Sequence, residues 1–235
     1  MDTGSSVARA VIFDMDGVLV DSFGPHFESW QLMFAEYGRE VTLADFTSTF
    51  GKTSRETIPI IEPSLDPERT SDREKILEMD RRKELLYREI VARRYPVMPG
   101  LPALLERLHA AGILMGIGSS APAENVMQGL PHLDPDGRYF VAIANGSEVS
   151  CGKPAPDVFL LALEKLRRIA PMVRVEHCVV IEDSPLGIAA AHAAGMRAIG
   201  LASTGHTHAE YTEADRLVDH HDQITIPMIC ELTTP

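Results

Sequence analysis

Five short apolar runs, at 10–13, 113–117, 140–144, 178–181 and 198–201, constrain this chain more than any other feature. Each reads as a strand, and helical patterns lie between most of them. Segment 101–111 follows Pro99-Gly100 with apolar residues at helical spacing. Segment 156–168 repeats the pattern through Val158, Leu161, Ala162 and Leu166, and the Ala-rich 188–194 stops at Gly195, a good helix terminator. Buried apolar strands alternating with helices predict an α/β fold with a mainly parallel sheet. In such sheets ligands bind beyond the carboxyl ends of the strands. Four of those ends read Asp14-Met15-Asp16-Gly17, Gly118-Ser119-Ser120, Asn145-Gly146 and Glu182-Asp183. Two are acidic, and such carboxylates repel each other unless a cation sits between them.

Residues 22–94 break the rhythm. They contain long charged helical stretches and no convincing strand; 71–95 is one, broken by Pro96, and Pro59, Pro63 and Pro67 mark turns before it. An all-helical insertion after the first strand is the simplest account. It divides the chain into an α/β core of 1–21 and 95–235 and a helical domain of 22–94. The insertion carries 12 Lys and Arg against 14 Asp and Glu, while the rest carries 10 against 20. The more basic segment is thus a plausible place to meet an anionic substrate.

Composition removes several function classes. The 235 residues are 45% hydrophobic, enough for a packed core. No apolar run reaches the ~18 residues that span a bilayer, so no membrane partner is expected. Residues 1–9 lack the apolar stretch of a signal peptide, and a cytoplasmic location follows by default. A net charge of −12 discourages nucleic-acid binding. The three cysteines, Cys151, Cys178 and Cys230, are too few and too scattered for a disulfide framework or a zinc site.

Four motifs carry chemistry. In Phe13-Asp14-Met15-Asp16-Gly17-Val18-Leu19-Val20-Asp21-Ser22 two carboxylates follow a strand, and Gly17 permits a sharp turn. One carboxylate can attack phosphorus while the other handles the leaving-group proton; a capped Asp-Gly turn is the bland alternative. Ser119, after the second apolar run, can donate to a phosphoryl oxygen, or it can cap a helix. Lys153, in Gly152-Lys153-Pro154-Ala155-Pro156-Asp157, is held in a turn, where a fixed ammonium neutralises both a carboxylate and a phosphoryl group. Glu182-Asp183-Ser184-Pro185 closes the fourth run. Magnesium prefers an octahedron of oxygens at about 2.1 Å. Asp14 and Asp183 can supply carboxylate oxygens, the Asp16 carbonyl a third ligand, and Glu182 a direct or water-mediated one. Asp183 can also cap the following helix.

In this order the motifs resemble those of the haloacid dehalogenase superfamily, and most closely its β-phosphoglucomutase-like phosphatases and mutases. The resemblance implies a Rossmann-like parallel-sheet core with an inserted helical-bundle cap domain. It makes Asp14 the nucleophile, Asp16 the general acid/base, Ser119 and Lys153 phosphoryl-binding groups, and Mg2+ the cofactor on Asp14, Asp16, Glu182 and Asp183. Dehalogenases lack the second Asp, so Asp16 argues against that reaction. Ser120 and Asn125, along the second motif, are candidate substrate-binding residues.

The insertion resembles the mutase cap at two places. Pro25-His26-Phe27-Glu28-Ser29-Trp30 resembles its first helix, where His26 either orients Asp16 or packs beside Trp30. Gly51-Lys52-Thr53-Ser54-Arg55-Glu56 resembles the loop whose Arg grips a distal phosphate; the alternative for Arg55 is a surface ion pair with Glu56 or Glu62. Lys83, in the charged helix, could reach substrate, although one lysine in a charge run is usually solvated. The mutase's Ser and Asn after the second motif are replaced by Ala121-Pro122-Ala123, with Asn125 displaced. The expected activity is therefore Mg2+-dependent phosphatase action on a small phosphorylated metabolite, a sugar phosphate in the first instance. A β-phosphoglucomutase and a catalytically silent binding protein are the alternatives.

Overall fold

In the computed structural model, which describes residues 8–49, 52–202 and 206–234, the apolar runs form one parallel sheet. Its strands are β1 (Ala10–Phe13), β2 (Leu114–Gly118), β3 (Phe140–Ala144), β4 (Cys178–Glu182), β5 (Arg197–Leu201) and β6 (Arg216–Val218), in the order β3-β2-β1-β4-β5-β6. The fold is the Rossmann-like α/β class the motifs imply. Strand β6 escapes the sequence reading because it is a three-residue edge strand with Leu217 exposed, so it leaves almost no apolar signal.

Register brings the motifs to one edge. Phe13 aligns with Ile117 on one side and Ile181 on the other, and Glu182 aligns with Gly200. The residues that follow β1, β2 and β4 therefore emerge level with one another. The chain steps outward from β1 to β3, then crosses to β4 and steps outward the other way. The reversal lies between β1 and β4, where open α/β sheets bind ligands.

Both faces of the sheet are covered, so β1 and β4 are buried along their whole length. Ala10 and Ile12 of β1 and Cys178 and Val180 of β4 pack on one face with α7 (Asp157–Ile169) and α8 (Pro185–Ala193), at alternate strand positions. A side chain at Gly118 would put its Cβ 2.8 Å from the Phe159 ring of α7, so the glycine lets that ring lie against β2. Helix α8 starts at the N-cap Ser184, with Pro185 in its first turn, and ends before Gly195, whose φ is 79°. The remaining core helices are α5 (Leu101–Ala110), α6 (Ala123–Leu133) and α9 (Ile226–Leu232).

The stretch after β1 is helical, with no strand among its described residues. It holds α1 (Phe23–Glu36), α2 (Leu43–Ser48), α3 (Ser54–Ile61) and α4 (Thr70–Arg93). Trp30, Met33 and Phe34 of α1 form its core with Phe46, Ile58, Ile76 and Met79. Thr42 and Asp45 cap α2 reciprocally: Thr42 N–H donates to Asp45 Oδ2 at 2.9 Å and Asp45 N–H to Thr42 Oγ1 at 3.2 Å. Pro63 and Pro67 lie in turns, but Pro59 sits inside α3. That corrects its reading as a turn residue: Ile58 and Ile61 are buried, and their packing outweighs the one backbone bond a proline removes.

Two compact units result, Met1–Asp21 with Val97–Pro235, and Ser22–Pro96. Among the described residues no helix is long and apolar enough to cross a membrane. The three cysteines are free thiols, and burial pushes that of Cys178 up to about 12.

Candidate active site

Asp14 continues β1 by one residue. Its N–H donates to Ile181 O at 3.0 Å, and its side chain is buried at the reversal of strand order. The chain then folds back on itself: Gly17 N–H donates to Val20 O at 2.8 Å and Val20 N–H to Met15 O at 3.0 Å. Gly17 has φ 73°, and a Cβ there would fall 1.8 Å from Asp183 Oδ2. The turn thus needs glycine twice, for its backbone and for the carboxylate pressed against it. Asp16 is half-buried on this turn.

Lys153 joins the first and fourth motifs. Its Nζ donates to Asp14 Oδ1 at 2.5 Å and to Glu182 Oε1 at 2.6 Å. The Lys153 side chain is 7% exposed and lies 4.8 Å from the Phe159 ring centroid. Glu182 is fixed from behind as well. Its Oε2 accepts from Ser184 N–H at 2.7 Å and Ser184 Oγ at 2.9 Å, while Ser184 Oγ accepts from Gly187 N–H at 3.1 Å. Both oxygens of Glu182, expected among the metal ligands, are therefore engaged by protein donors. Its visible task is to hold Lys153 against Asp14.

Gly187 is the space that makes this possible, because a Cβ there would lie 1.8 Å from Glu182 Oε1. Gly187→Ala is expected to expel the Glu182 carboxylate from its pocket and cost about 1–3 kcal/mol by overpacking. Urea unfolding of the two proteins followed by circular dichroism checks this.

The electrostatics are those of a site short of positive charge. Burial pushes the Asp14 carboxyl up, to about 7, against the pull of Lys153. Burial, then Glu182 and Asp14, push Asp183 well above its ordinary range. For Lys153 burial favours the neutral amine, but Asp14 and Glu182 together outweigh it and raise the pKa. Ligand atoms of Asp14, Glu182 and Asp183 all lie within 4.8 Å of one another, and all three residues are buried. Three clustered carboxylates facing one ammonium, with two of them pushed up, fit a hard divalent cation.

Ser119 follows β2, with its N–H donating to Ala144 O at 3.1 Å. Its Oγ accepts from Ala121 N–H at 3.0 Å, so the hydroxyl keeps its own proton to donate. Ser120 is exposed, and Asn125 is buried in the first turns of α6. Asp14, Ser119, Lys153, Glu182 and Asp183 thus all stand at the same end of the sheet.

His26 and Arg55 belong to the helical unit. His26 stacks on Tyr87 with ring centroids 4.1 Å apart, and its Nδ1 lies 3.0 Å from Lys83 Nζ. Arg55 pairs with Asp80, Nε to Oδ2 at 2.9 Å. That corrects the expected partners: Glu56 is occupied in capping α3 through Thr53, and Glu62 pairs with Arg39. Gly51 of the same stretch lies outside the described residues. Lys83 is corrected too. It is 4% exposed, paired with Glu84 at 2.8 Å and set over the Trp30 and Tyr87 rings at 5.3 and 5.7 Å. Aromatic contact and a carboxylate offset the desolvation that a solvated lysine avoids.

Sequence reasoning missed Ser184 and Gly187 as supports of Glu182, and Phe159 under Lys153. Ser184-Pro185 did signal a helix start, but nothing in the order of residues links Phe159 to Lys153.

The family described as haloacid dehalogenase-like hydrolase matches residues 8–195. The phosphorylated carbohydrates phosphatase of Thermotoga maritima is 32% identical over 191 residues, covering 81% of this chain and 83% of that protein. The β-phosphoglucomutase of Bacillus subtilis is 29% identical over 200 residues, covering 82% and 83%. Among solved structures, a HAD hydrolase of family IA, variant 3, from Entamoeba histolytica superposes with a TM-score of 0.83 at 26% identity, covering 96% of this chain and 99% of that one.

Proposed function

Because the chain belongs to the haloacid dehalogenase-like hydrolase family, we propose that it hydrolyses the phosphate ester of a small sugar phosphate through an aspartyl-phosphate on Asp14. The observation that carries this reading is Lys153 Nζ at 2.5 Å from Asp14 Oδ1 and 2.6 Å from Glu182 Oε1. This is a buried ammonium clamped against a carboxylate at the ligand-binding end of the sheet.

The residues divide the work as follows. Asp14 attacks phosphorus, forming the acyl-phosphate bond as the ester P–O bond breaks. Asp16, on the half-buried turn, gives its proton to the departing sugar oxygen. Asp16 then takes a proton from a water that attacks the phosphoaspartate, which releases inorganic phosphate and restores Asp14. Lys153 and the Ser119 hydroxyl bind the phosphoryl oxygens, and Glu182 with Ser184 keeps Lys153 in place. Asp14, Asp183 and the Asp16 carbonyl, with Glu182 directly or through water, would hold Mg2+, which when bound supplies charge neutralisation for the phosphoryl group. The helical unit serves as the cap that keeps water out at the wrong moment, and His26 and Arg55 are its candidate substrate contacts.

The phosphomutase reading rests on Arg55 and on the Bacillus subtilis relative. The Arg55–Asp80 pair does not decide between the two, since Arg55 is two-thirds exposed and such pairs contribute at most about 1 kcal/mol. The Ala121-Pro122-Ala123 loop favours the phosphatase, because it offers no hydroxyl or amide side chain to a phosphate.

Phosphorus NMR tests the choice. The protein is incubated with Mg2+ and β-glucose 1-phosphate, with and without a trace of the 1,6-bisphosphate, beside a panel of other sugar phosphates. Inorganic phosphate is the expected product for at least one panel member. Glucose 6-phosphate accumulating with little free phosphate would reverse the ranking in favour of the mutase.

A further inference from the structure

The loop after β5 carries none of the four motifs, yet it returns a side chain to the end of β4. Tyr211 donates its hydroxyl to the backbone carbonyl of Asp183, across 28 residues of sequence. The tyrosine is 4% exposed and belongs to the hydrophobic core shared with α7 and α8. Its ring has space because β5 has no side chain at Gly200. A Cβ there would lie 2.9 Å from Tyr211 Cδ1 and 3.1 Å from Leu217 Cδ1. Gly200 is the register partner of Glu182, so the ring lies level with the acidic end of β4.

Asp183 is therefore held at two ends. Its carboxylate is pressed against Gly17, where a Cβ would fall 1.8 Å from Oδ2, and its carbonyl is tied to Tyr211. The tie restrains the Asp183–Ser184 peptide and so the backbone torsion at Asp183 from which Cβ projects, while the Gly17 contact limits the side chain's own torsions. The ring is stiff, with two side-chain torsions, and closely packed, so it transmits the restraint. Resting on the reading that Asp183 holds the divalent cation, the geometry points to Tyr211 as a positioning residue that aims the Asp183 carboxylate at the metal. Partners of metal ligands typically change affinity about 10- to 100-fold when removed.

The test is Mg2+ binding in the absence of substrate, by titration calorimetry, on the parent, Tyr211→Phe and Gly200→Ala. Tyr211→Phe keeps the ring and removes only the hydroxyl. Gly200→Ala keeps the hydroxyl and pushes the ring away. Both are expected to raise the Mg2+ dissociation constant roughly tenfold or more. The Mg2+ concentration giving half-maximal turnover should rise in step, while kcat at saturating Mg2+ falls less than about threefold. A lower melting temperature of the metal-free variants with Mg2+ affinity within about twofold of the parent would make Tyr211 a structural tie and overturn the inference. Should Tyr211→Phe fail to fold, Gly200→Ala decides on the same reading. A parent that binds no Mg2+ would overturn the proposed function and this inference together, whereas a binding parent with unaffected variants overturns the inference alone.

Discussion

Asp14→Asn is expected to abolish phosphate release from every substrate the parent hydrolyses, with kcat lower by roughly 10⁴-fold or more. An amide of the same shape cannot form the acyl-phosphate, so the loss falls on the chemical step. The fold should survive. The backbone N–H at position 14 keeps its bond to Ile181 O, and Lys153 keeps Glu182 at 2.6 Å. The substitution also removes one of three crowded carboxylates, which eases the smaller push that Asp14 adds, after burial and Glu182, to the raised Asp183 carboxyl. Initial rates of phosphate release, with thermal melts as the control for folding, measure the effect. A folded Asp14→Asn variant retaining more than about a hundredth of parental activity would remove Asp14 as the nucleophile.

Lys153→Met is expected to lose activity and stability together, and its stability loss should depend on pH. Methionine fills most of the volume but leaves Asp14, Glu182 and Asp183 facing one another. Removing one partner of a buried ion pair costs about 3–5 kcal/mol. The sign with pH follows from Asp14, whose carboxyl rises from an ordinary 3.8 to about 7 in the fold, chiefly by burial. Between those values the folded protein holds more protons than the unfolded chain, so stability present in acid is lost as pH rises. Lys153 pulls the Asp14 pKa down; without it the pKa climbs further and the loss steepens. Metal-free Lys153→Met should therefore fall furthest below the parent at about pH 8 and approach it at about pH 5. Urea unfolding at both values, followed by far-ultraviolet circular dichroism, checks that the deficit widens with pH. An equal deficit at the two pH values would show that packing, and not charge, is what Lys153 contributes.

Much of the sheet was legible because it is written locally. Each of the strands β1 to β5 is a run of apolar residues largely buried in the sheet, and such runs stand out without knowledge of their neighbours. The acidic and hydroxyl residues that follow them mark the strand ends, which in a parallel sheet with aligned register are also the site. Strand β6 was not legible, since three residues at a sheet edge carry no pattern. Pro59 lies inside α3 because the burial of Ile58 and Ile61 overrides proline's local preference for turns, and that burial is not written in the residues around it.

By itself the sequence determined the α/β class, the helical insertion and the identity of the charged groups at the strand ends. These depend on periodicity and on residue type. Tertiary structure alone decided how those groups are paired. It gave Glu182 to Lys153 and Ser184, Arg55 to Asp80, and the Asp183 carbonyl to Tyr211. It also buried Lys83 among aromatic rings beside Glu84. The physical reason is range. Strand and helix signals arise between residues a few positions apart, whereas a carboxylate chooses its partner by distance and desolvation in the folded chain. The glycines at 17, 187 and 200 show both sides of this. Their positions are plain in the sequence, but each is required by a side chain that only folding brings within contact.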